Sequence, residues 1–307
     1  MKIYNSIQEF NTDKKTIVTL GTFDGVHKGH RSILDKLLNS SDTSACESLV
    51  LTFFPHPRMV LQQNTGIKLL NTMSEKAFLL DKYGIDNLIV HPFDHAFSRL
   101  TAEEFVKNIL VDSLNVQKIV IGHDHRFGRN RTATIDDLIH FGEEYGFDVM
   151  QISALEVNEV SVSSTKIRKA LDAGDLATAN EFLGYDYFLS GTVTQGKKIG
   201  RTIGFPTANI SIKEDYKLIP SQGVYVVSSV IDGTVVKGMM NIGTNPTVGG
   251  TGQTIEVHFL DFDKDIYGKD LKISMHKKLR DEKKFASLEV LKLQLEEDKT
   301  ATLHYFK

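Results

Sequence analysis

The chain has 307 residues but only one cysteine, six prolines and no tryptophan. The single thiol, Cys46, excludes an internal disulfide and a thiolate metal cluster, and it favours a reducing compartment, the cytoplasm. No apolar run approaches the ~20 residues of a membrane helix, and the first residues lack the apolar stretch of a secretory signal. The net charge of −3 gives no reason to expect nonspecific binding of nucleic acid. We therefore expect a soluble protein that uses neither membranes nor nucleic acids, with self-association left open.

Short apolar runs alternate with amphipathic stretches in the first part of the chain, over residues 1–184. At ~150 residues per domain, the length predicts two domains. The runs predict strands at Thr16–Leu20, Leu49–Phe54, Asn87–His91, Lys118–Ile121 and Val149–Ile152. The stretches between and after them predict helices, among them Ser74–Tyr83, Ile135–Tyr145, Ser164–Ala173 and Leu176–Phe182. This alternation is typical of a doubly wound parallel sheet covered on both faces.

The pattern changes in residues 185–307, where strand-like runs follow one another directly. They lie at Phe188–Thr194, Val224–Ile231, Val235–Met240, Ile255–Leu260 and Leu271–Met275. Asp232-Gly233 between two of the runs predicts a hairpin turn. One helical stretch, Phe285–Glu297, closes the chain. The second domain is therefore expected to be a small antiparallel β-barrel with a terminal helix.

Residues 21–30 read Gly-Thr-Phe-Asp-Gly-Val-His-Lys-Gly-His and connect the first strand to a helix. Glycines let a ligand approach the backbone, and a helix N-terminus favours anions. His27 and His30 are three residues apart and can share one face of the first turn, where two imidazoles suit nucleotide phosphates. Two surface histidines beside a turn are the plainer interpretation. The complete string at a strand-to-helix junction favours the phosphate site.

This string resembles the HxGH signature of the nucleotidyltransferase superfamily, in the form found in prokaryotic bifunctional riboflavin kinase/FAD synthetases. The resemblance implies a nucleotidyltransferase-type sheet in residues 1–184. It also implies an ATP site formed by Gly21, Phe23, Asp24 and Gly29, with His27 and His30 as catalytic residues.

The segment Ser-Ser-Thr-Lys-Ile-Arg at residues 163–168 also resembles this family's adenylyltransferase module. The resemblance assigns Ser164, Thr165 and Arg168 to ATP binding. Hydroxyls at a helix start, followed by an arginine, independently suit a triphosphate. A simple helix cap followed by a solvated arginine is the alternative.

Two further segments resemble the flavin-binding parts of that module. Thr-Phe-Phe-Pro-His-Pro follows the second strand, and its two prolines predict a rigid, non-helical turn that aims His56 at the ligand. Gly-His-Asp-His-Arg-Phe-Gly follows the fourth strand and contributes Asp124 and Phe127. Two positions depart from the family pattern: Phe54 stands where an acidic residue is frequent, and His125 replaces the usual phenylalanine.

Residues 200–209, early in the second domain, read Gly-Arg-Thr-Ile-Gly-Phe-Pro-Thr-Ala-Asn. Thr207 and Asn209 supply hard oxygens, which suit magnesium and nucleotide phosphate, while a plain β-turn is the alternative. The string resembles the riboflavin kinase signature of the same family. That resemblance assigns Gly200, Arg201, Thr207 and Asn209 to ATP binding, with Thr207 and Asn209 holding Mg²⁺.

Glu256 lies in a segment that alternates with period two, so it faces away from the apolar positions around it. A solvated carboxylate is the plain interpretation, and a base that accepts a proton from a substrate hydroxyl is the functional one. The segment resembles the part of the kinase module that carries the catalytic glutamate. Arg280 and Phe285 lie in a segment that resembles the approach to the module's last helix, which makes them flavin contacts, with helix capping and packing as the alternative.

These resemblances span nearly the whole chain and predict a bifunctional enzyme. It phosphorylates riboflavin to FMN with Mg²⁺ and ATP, and then transfers AMP from ATP to FMN to give FAD and pyrophosphate. Three alternatives stay open: a nucleotidyltransferase with another acceptor, a flavin sensor or store without turnover, and a monofunctional kinase in which the Phe54 and His125 departures disable FAD formation.

Overall fold

Two compact units make up the chain, one from Met1 to Ser163 and one from Ser164 to Lys307. The computed structural model describes residues 1–40, 46–62, 66–122, 125–153, 162–196, 199–247 and 250–307. The side chains of residues 199, 245–247, 250 and 251 lie outside this description. Among the described residues, no helix is long and apolar enough to cross a membrane.

A parallel sheet of six strands forms the centre of the N-terminal unit, in the order β1-β4-β3-β2-β5-β6. The strands are β1 (Lys2–Tyr4), β2 (Lys15–Leu20), β3 (Cys46–Phe53), β4 (Asn87–His91), β5 (Val116–Gly122) and β6 (Asp148–Ile152). The near-continuous apolar runs of the four inner strands are buried, as strands covered on both faces require, whereas the edge strands β1 and β6 are largely exposed or half-buried. The predicted parallel sheet is confirmed. β1 is an additional edge strand, which the sequence pattern did not reveal because it has only three residues.

Helices connect the strands of this unit: α1 (Lys28–Ser40), α2 (Pro57–Leu61), α3 (Met73–Tyr83), α4 (Ala102–Glu104) and α5 (Ile135–Tyr145). Thr101 and Glu104 form a capping box at the start of α4, which soon becomes a π-helical segment, Phe105–Val111. Short 3₁₀ turns lie at Ile7–Glu9, Phe97–Arg99 and Arg129–Arg131.

The strand order reverses between β2 and β5. The chain runs from β2 through β3 to β4 on one side, and from β5 to β6 on the other. Open α/β sheets bind their ligands at the carboxyl ends of the strands that flank such a reversal. By this rule we expect a ligand site at the end of β2, where the loop with the two histidines begins.

The C-terminal unit begins with α6 (Ser164–Ala173) and α7 (Leu176–Leu183), which join its barrel. Asn180 of α7 donates to the carbonyl of Met275 at 3.0 Å, and the Ser221 amide donates to the carbonyl of Leu171 at 3.2 Å. These bonds explain why the two helices group with the barrel. The boundary at residues 184/185 stays a prediction.

A closed barrel with the strand order β10-β11-β8-β7-β12-β9 follows. Its strands are β7 (Phe188–Thr194), β8 (Ala208–Ser211), β9 (Gly223–Ile231), β10 (Thr234–Thr247), β11 (Gly250–Phe259) and β12 (Asp270–Arg280), and a short helix, α8 (Ile199–Thr202), precedes β8. All of the pairs between these strands are antiparallel, which confirms the predicted barrel. The predicted hairpin is present at Asp232-Gly233, where φ is +51° and +78°.

Several boundaries in this unit differ from the predictions: β11 begins at Gly250 and β12 ends at Arg280, and the bounds of β10 and of the terminal helix differ as well. β10 continues from Met240 to Thr247 because pairing with β11 extends it through polar and glycine positions that have no apolar alternation. The terminal helix is α9 (Leu288–Tyr305) rather than Phe285–Glu297, since Ser287 caps its first turn by accepting from the Val290 amide at 3.4 Å.

Candidate active sites

The loop after β2 holds the first site. Its Gly21 amide donates to the Leu51 carbonyl at 3.1 Å, which ties the loop to the end of β3. Phe23 and Val26 have φ of +43° and +38°, a left-handed conformation that is unusual for a phenylalanine and rarer for a β-branched residue. The loop is thus held on one backbone path at the point where the strand order reverses.

His27 and His30 stack on each other as this loop enters α1. Their ring centroids are 3.7 Å apart, the ring planes differ by 16°, and the Phe23 ring lies 5.1 Å from His30. Burial lowers the pKa of His30 well below its usual value, and the neighbouring His27 and Lys76 lower it further. Two stacked imidazolium ions would repel each other, so this arrangement favours an uncharged His30 at neutral pH. The structure brings the two predicted catalytic histidines together.

Asp24 and Gly29 are both buried in this loop and helix start. Asp24 Oδ1 accepts a hydrogen bond from the Leu70 amide at 2.8 Å, so the carboxylate organises the loop from inside. Gly29 lies in the first turn of α1, between the two histidines. ATP contacts by Gly21, Phe23, Asp24 and Gly29 stay predictions.

His56 and Phe127, two of the predicted flavin contacts of the N-terminal unit, lie in different local environments. His56 caps α2, its Nδ1 accepting from the Arg58 amide at 3.1 Å. The prediction of a non-helical turn is therefore wrong from Pro57 on, because a proline in the first helical position lacks only an amide that has no helical partner. Phe127 lies in the hydrophobic core, with its ring 5.9 Å from Phe105. Asp124 lies outside the described residues.

Ser164, Thr165 and Arg168 occupy the first turns of α6, in agreement with the predicted helix start. Thr165 is exposed, and Ser164 and Arg168 are half-buried. The helix belongs to the C-terminal unit. The role of Ser164, Thr165 and Arg168 in binding the triphosphate stays a prediction.

The second site forms where α8 leads into β8. The Phe205 amide donates to the Gly200 carbonyl at 2.8 Å, and a Cβ on Gly200 would lie 2.1 Å from the Phe205 carbonyl oxygen. Gly200 therefore permits a tight loop that presents Thr207, while the neighbouring Arg201 is exposed. A Cβ on Gly196 would lie 2.1 Å from the amide nitrogen of Asn209, so a second glycine leaves room for that side chain.

Glu256 meets the predicted ATP-binding segment directly. Thr207 Oγ1 donates to Glu256 Oε2 at 3.0 Å, and Glu256 of β11 pairs with Asn209 of β8. Ile255 and Val257 are buried on the opposite face, which confirms the predicted alternation. The structure thus brings Glu256 together with Thr207 and Asn209, which precede it by 49 and 47 residues.

Two neighbours of this centre had no role in the sequence predictions. His258 donates from Nδ1 to the Pro206 carbonyl at 2.7 Å, and its ring lies 5.1 Å from Phe205. Asn241 of β10 pairs with Glu256 on the other edge of β11. The period-two pattern places His258 on the same face as Glu256. Only the closure of the barrel brings the Pro206 carbonyl to His258.

The oxygen donors of the second site fit a magnesium ion. The donors are the hydroxyl of Thr207, which directly precedes β8, the amide of Asn209 in β8 and the carboxylate of Glu256 in the paired strand β11. Hard oxygens of this kind are what Mg²⁺ prefers. Among the described residues, no group of three His, Cys, Asp or Glu side chains forms an alternative metal site.

Arg280 and Phe285, the predicted flavin contacts of the barrel unit, lie near the start of α9. Arg280 Nε and Nη2 donate to the buried Asp298 carboxylate at 3.0 and 2.8 Å, and the guanidinium lies 5.6 Å from the Phe285 ring centroid. The arginine therefore holds α9 to the end of β12, and a flavin contact by either residue stays a prediction.

Two centres suited to phosphate chemistry, on unrelated architectures in one chain, define a nucleotide-dependent transferase with two reactions. The family model of FAD synthetase matches residues 9–166, and that of riboflavin kinase matches residues 183–306.

The chain is 37% identical to the bifunctional riboflavin kinase/FMN adenylyltransferase of Escherichia coli K12, covering 94% of this chain and 92% of the relative. It is 40% identical to the protein of the same name from Pseudomonas fluorescens, covering 93% and 91%. A crystal structure described as a macrolide-efflux protein from Streptococcus pneumoniae is 30% identical, with a TM-score of 0.89 over 98% of both chains. That likeness supports the same fold over nearly the whole chain.

The chain belongs to the family of bifunctional riboflavin kinases/FMN adenylyltransferases. The predicted family is confirmed. The predicted function, flavin cofactor biosynthesis by one enzyme with both activities, is confirmed as well. Enzymes of this kind use ATP with flavin substrates.

Proposed function

We propose that Glu256 is the base for riboflavin phosphorylation and that His27 and His30 stabilise charge during adenylyl transfer to FMN. The observation that carries the kinase assignment is the 3.0 Å bond between Thr207 and Glu256. It joins two motifs, 49 residues apart, in one place where a hydroxyl substrate can meet a carboxylate and phosphate-binding groups.

In the kinase reaction, an oxygen of the riboflavin side-chain hydroxyl attacks the γ-phosphorus of ATP. The bond to the ADP oxygen breaks, and Glu256 accepts the hydroxyl proton. The Thr207 hydrogen bond orients the carboxylate before substrate arrives. Positioning and charge stabilisation dominate such a transfer, because little covalent chemistry is left for the protein.

Thr207 and Asn209 would hold Mg²⁺ together with the ATP phosphates in this site. When bound, the ion supplies neutralisation of the charge that develops on the phosphate oxygens. Gly200 and Arg201 border the same loop, where a flexible guanidinium can pair with phosphate.

In the adenylyl transfer, a phosphate oxygen of FMN attacks the α-phosphorus of ATP, and pyrophosphate leaves. Negative charge develops on the leaving group, and N–H groups of His27 and His30 donate hydrogen bonds to its oxygens without a covalent intermediate. The N-terminus of α1 adds a favourable potential for the same anion. Ser164, Thr165 and Arg168 would bind the triphosphate, and His56, Asp124 and Phe127 the flavin.

Incubation of the full chain with riboflavin and Mg-ATP, with riboflavin, FMN and FAD separated over time, tests both reactions. FMN should rise first and FAD should follow. FMN that accumulates without FAD would indicate the monofunctional alternative, and supplying other phosphorylated acceptors would test the alternative of a different adenylyltransferase. Bound flavin without turnover would indicate a sensor or store.

A further inference from the structure

Lys76 of α3 is a buried lysine to which neither reaction above assigns a role. Its side chain is 2% exposed, although it is long and charged. The preceding Thr72 and Glu75 form a capping box that fixes the start of α3, with the Thr72 amide donating to Glu75 at 2.9 Å. This rigid helix start directs Lys76 towards the ends of β2 and β3. A buried lysine is rare unless it is paired, so its partners indicate what it does.

Both hydrogen-bond partners of Lys76 belong to the strand ends of the adenylyltransferase site. Nζ donates to the Thr22 carbonyl at 2.7 Å and to Thr52 Oγ1 at 3.3 Å. Thr52 Oγ1 in turn donates to the same Thr22 carbonyl at 3.2 Å. Thr22 immediately precedes Phe23, whose φ of +43° needs support from the surroundings. Lys76 therefore holds the peptide group that determines where the Phe23 ring lies beside His30.

The charge of Lys76 acts on the same histidine. Burial lowers the pKa of Lys76 to about 8, and the buried Asp24 opposes this shift, so the lysine is mostly protonated at neutral pH. Lys76 and His27 are the charged or titratable neighbours that lower the pKa of His30 in addition to burial. The mostly protonated lysine thus favours an uncharged His30.

We infer that Lys76 is a positioning residue for adenylyl transfer, because it fixes the Thr22 carbonyl beside Phe23, whose ring lies against His30. The inference rests on the proposed role of His30. If Lys76 only stabilised the fold by tying α3 to the strand ends, its substitution would not change the rate of FAD formation in folded protein.

Two substitutions in the full chain separate the hydrogen bond from the charge. Lys76→Gln keeps a donor for the Thr22 carbonyl but removes the charge, whereas Lys76→Met removes both. Lys82→Gln, on the exposed side of the same helix, is the matched control. FAD formation from supplied FMN and riboflavin phosphorylation are measured for each variant, at a temperature at which its melting curve shows folded protein.

Lys76→Met should lower kcat for FAD formation by ~10²-fold, since misplacement of about 1 Å has effects of this size. Lys76→Gln should lose less, and riboflavin phosphorylation and the Lys82→Gln variant should be unchanged. NMR titration of the histidine rings, with His30 assigned by its loss in His30→Ala, should show a higher pKa of His30 in both Lys76 variants.

Parental kcat in Lys76→Met, or an unchanged His30 titration in Lys76→Gln, would overturn the inference. The His30→Ala variant separates this result from a failure of the proposed function. If His30→Ala itself forms FAD at the parental rate, the role of His30 is wrong. If only His30→Ala is slow, the role of Lys76 alone is wrong.

Discussion

The two proposed active sites are built on different parts of their architectures. The adenylyltransferase site lies on a loop and a helix start, and its histidines depend on the backbone path between Gly21 and His27. The kinase site lies on the faces of paired strands, and Glu256 depends on the register of β11 against β8. A loop site therefore needs support from other parts of its unit, and here Lys76 binds the Thr22 carbonyl and the Leu70 amide binds Asp24 of the loop. Barrel closure supports the strand site.

Removal of the N-terminal unit should have the largest effect, because it deletes both proposed catalytic histidines, His27 and His30, and the loop that carries them. A fragment of residues 164–307 should phosphorylate riboflavin and form no FAD. A fragment of residues 185–307 should keep the kinase activity but melt at a lower temperature, since it lacks Asn180, which donates to Met275 and accepts from the Tyr187 amide. Calorimetry and product analysis check both. A folded longer fragment that binds neither riboflavin nor ATP would contradict the separation of the sites.

Glu256→Gln should lower riboflavin phosphorylation by ~10²–10⁴-fold, because glutamine keeps the size of the side chain but is not a base. FAD formation from supplied FMN should be nearly unchanged, and riboflavin and ATP affinities should change little. Initial rates of the two half-reactions measure this contrast, with exposed Glu181→Gln as the control. Phosphorylation at the parental rate would return Glu256 to the role of a solvated strand carboxylate.

His30→Ala should produce the opposite pattern, with FAD formation lowered by ~10²–10³-fold through loss of one donor to the leaving group. Riboflavin phosphorylation should persist, because its ATP site lies in the barrel unit. The same two assays measure the effect, and exposed His140→Ala controls for loss of an imidazole from this unit. Near-normal adenylyl transfer in the folded variant would remove His30 from the mechanism.

His258→Ala should weaken the kinase site without removing its chemistry. The bond from His258 to the Pro206 carbonyl holds the residue next to Thr207, and its loss should raise the KM for Mg-ATP by ~10-fold, the equivalent of one hydrogen bond. The kcat should fall less. Saturation kinetics of riboflavin phosphorylation check this, with exposed His304→Ala for comparison. An unchanged KM would show that the strands alone fix the loop.

The smallest effect concerns stability at acidic pH, to which His91 should contribute in the N-terminal unit and His258 in the barrel, since burial lowers the pKa of both. His91 Nδ1 accepts from the Ile7 amide at 3.2 Å, and burial lowers the pKa of His91 below its ordinary value of 6.5, although Asp94 opposes the shift. Because the unfolded chain binds this proton more readily, stability should fall as the pH drops below about 6.5. His91→Gln should reduce the loss in melting temperature on acidification by ~2–4 °C. The remaining pH dependence should include His30. Equal losses in parent and variant would exclude His91 as a contributor.

Local patterns were sufficient for most of the fold. Asn87–His91 and Ile135–Tyr145 have the predicted bounds, because apolar runs and helical periodicity report burial directly. β8 was missed, since its four residues overlap a motif interpreted as a loop. The extent of β10 was underestimated because pairing with β11, rather than side-chain alternation, continues it.

The motifs also contained most of the proposed site residues, but not their surroundings. The spacing of His27 and His30 predicted a shared face, and the rings do stack. Nothing in the local sequence around Lys76 connects it with a loop 54 residues earlier. Arg280 was interpreted as a flavin contact, and only the fold reveals its bidentate pairing with Asp298.

The amino-acid sequence by itself determined the two architectures, the family and the residue types that meet phosphate, because each depends on patterns within about ten residues. Tertiary structure alone decided which distant groups share a site: Thr207 with Glu256, His258 with Pro206, and Lys76 with Thr22. The physical reason is that strand register and barrel closure depend on the summed pairing of many residues. A single side chain carries no local sign of the partner that this pairing brings to it.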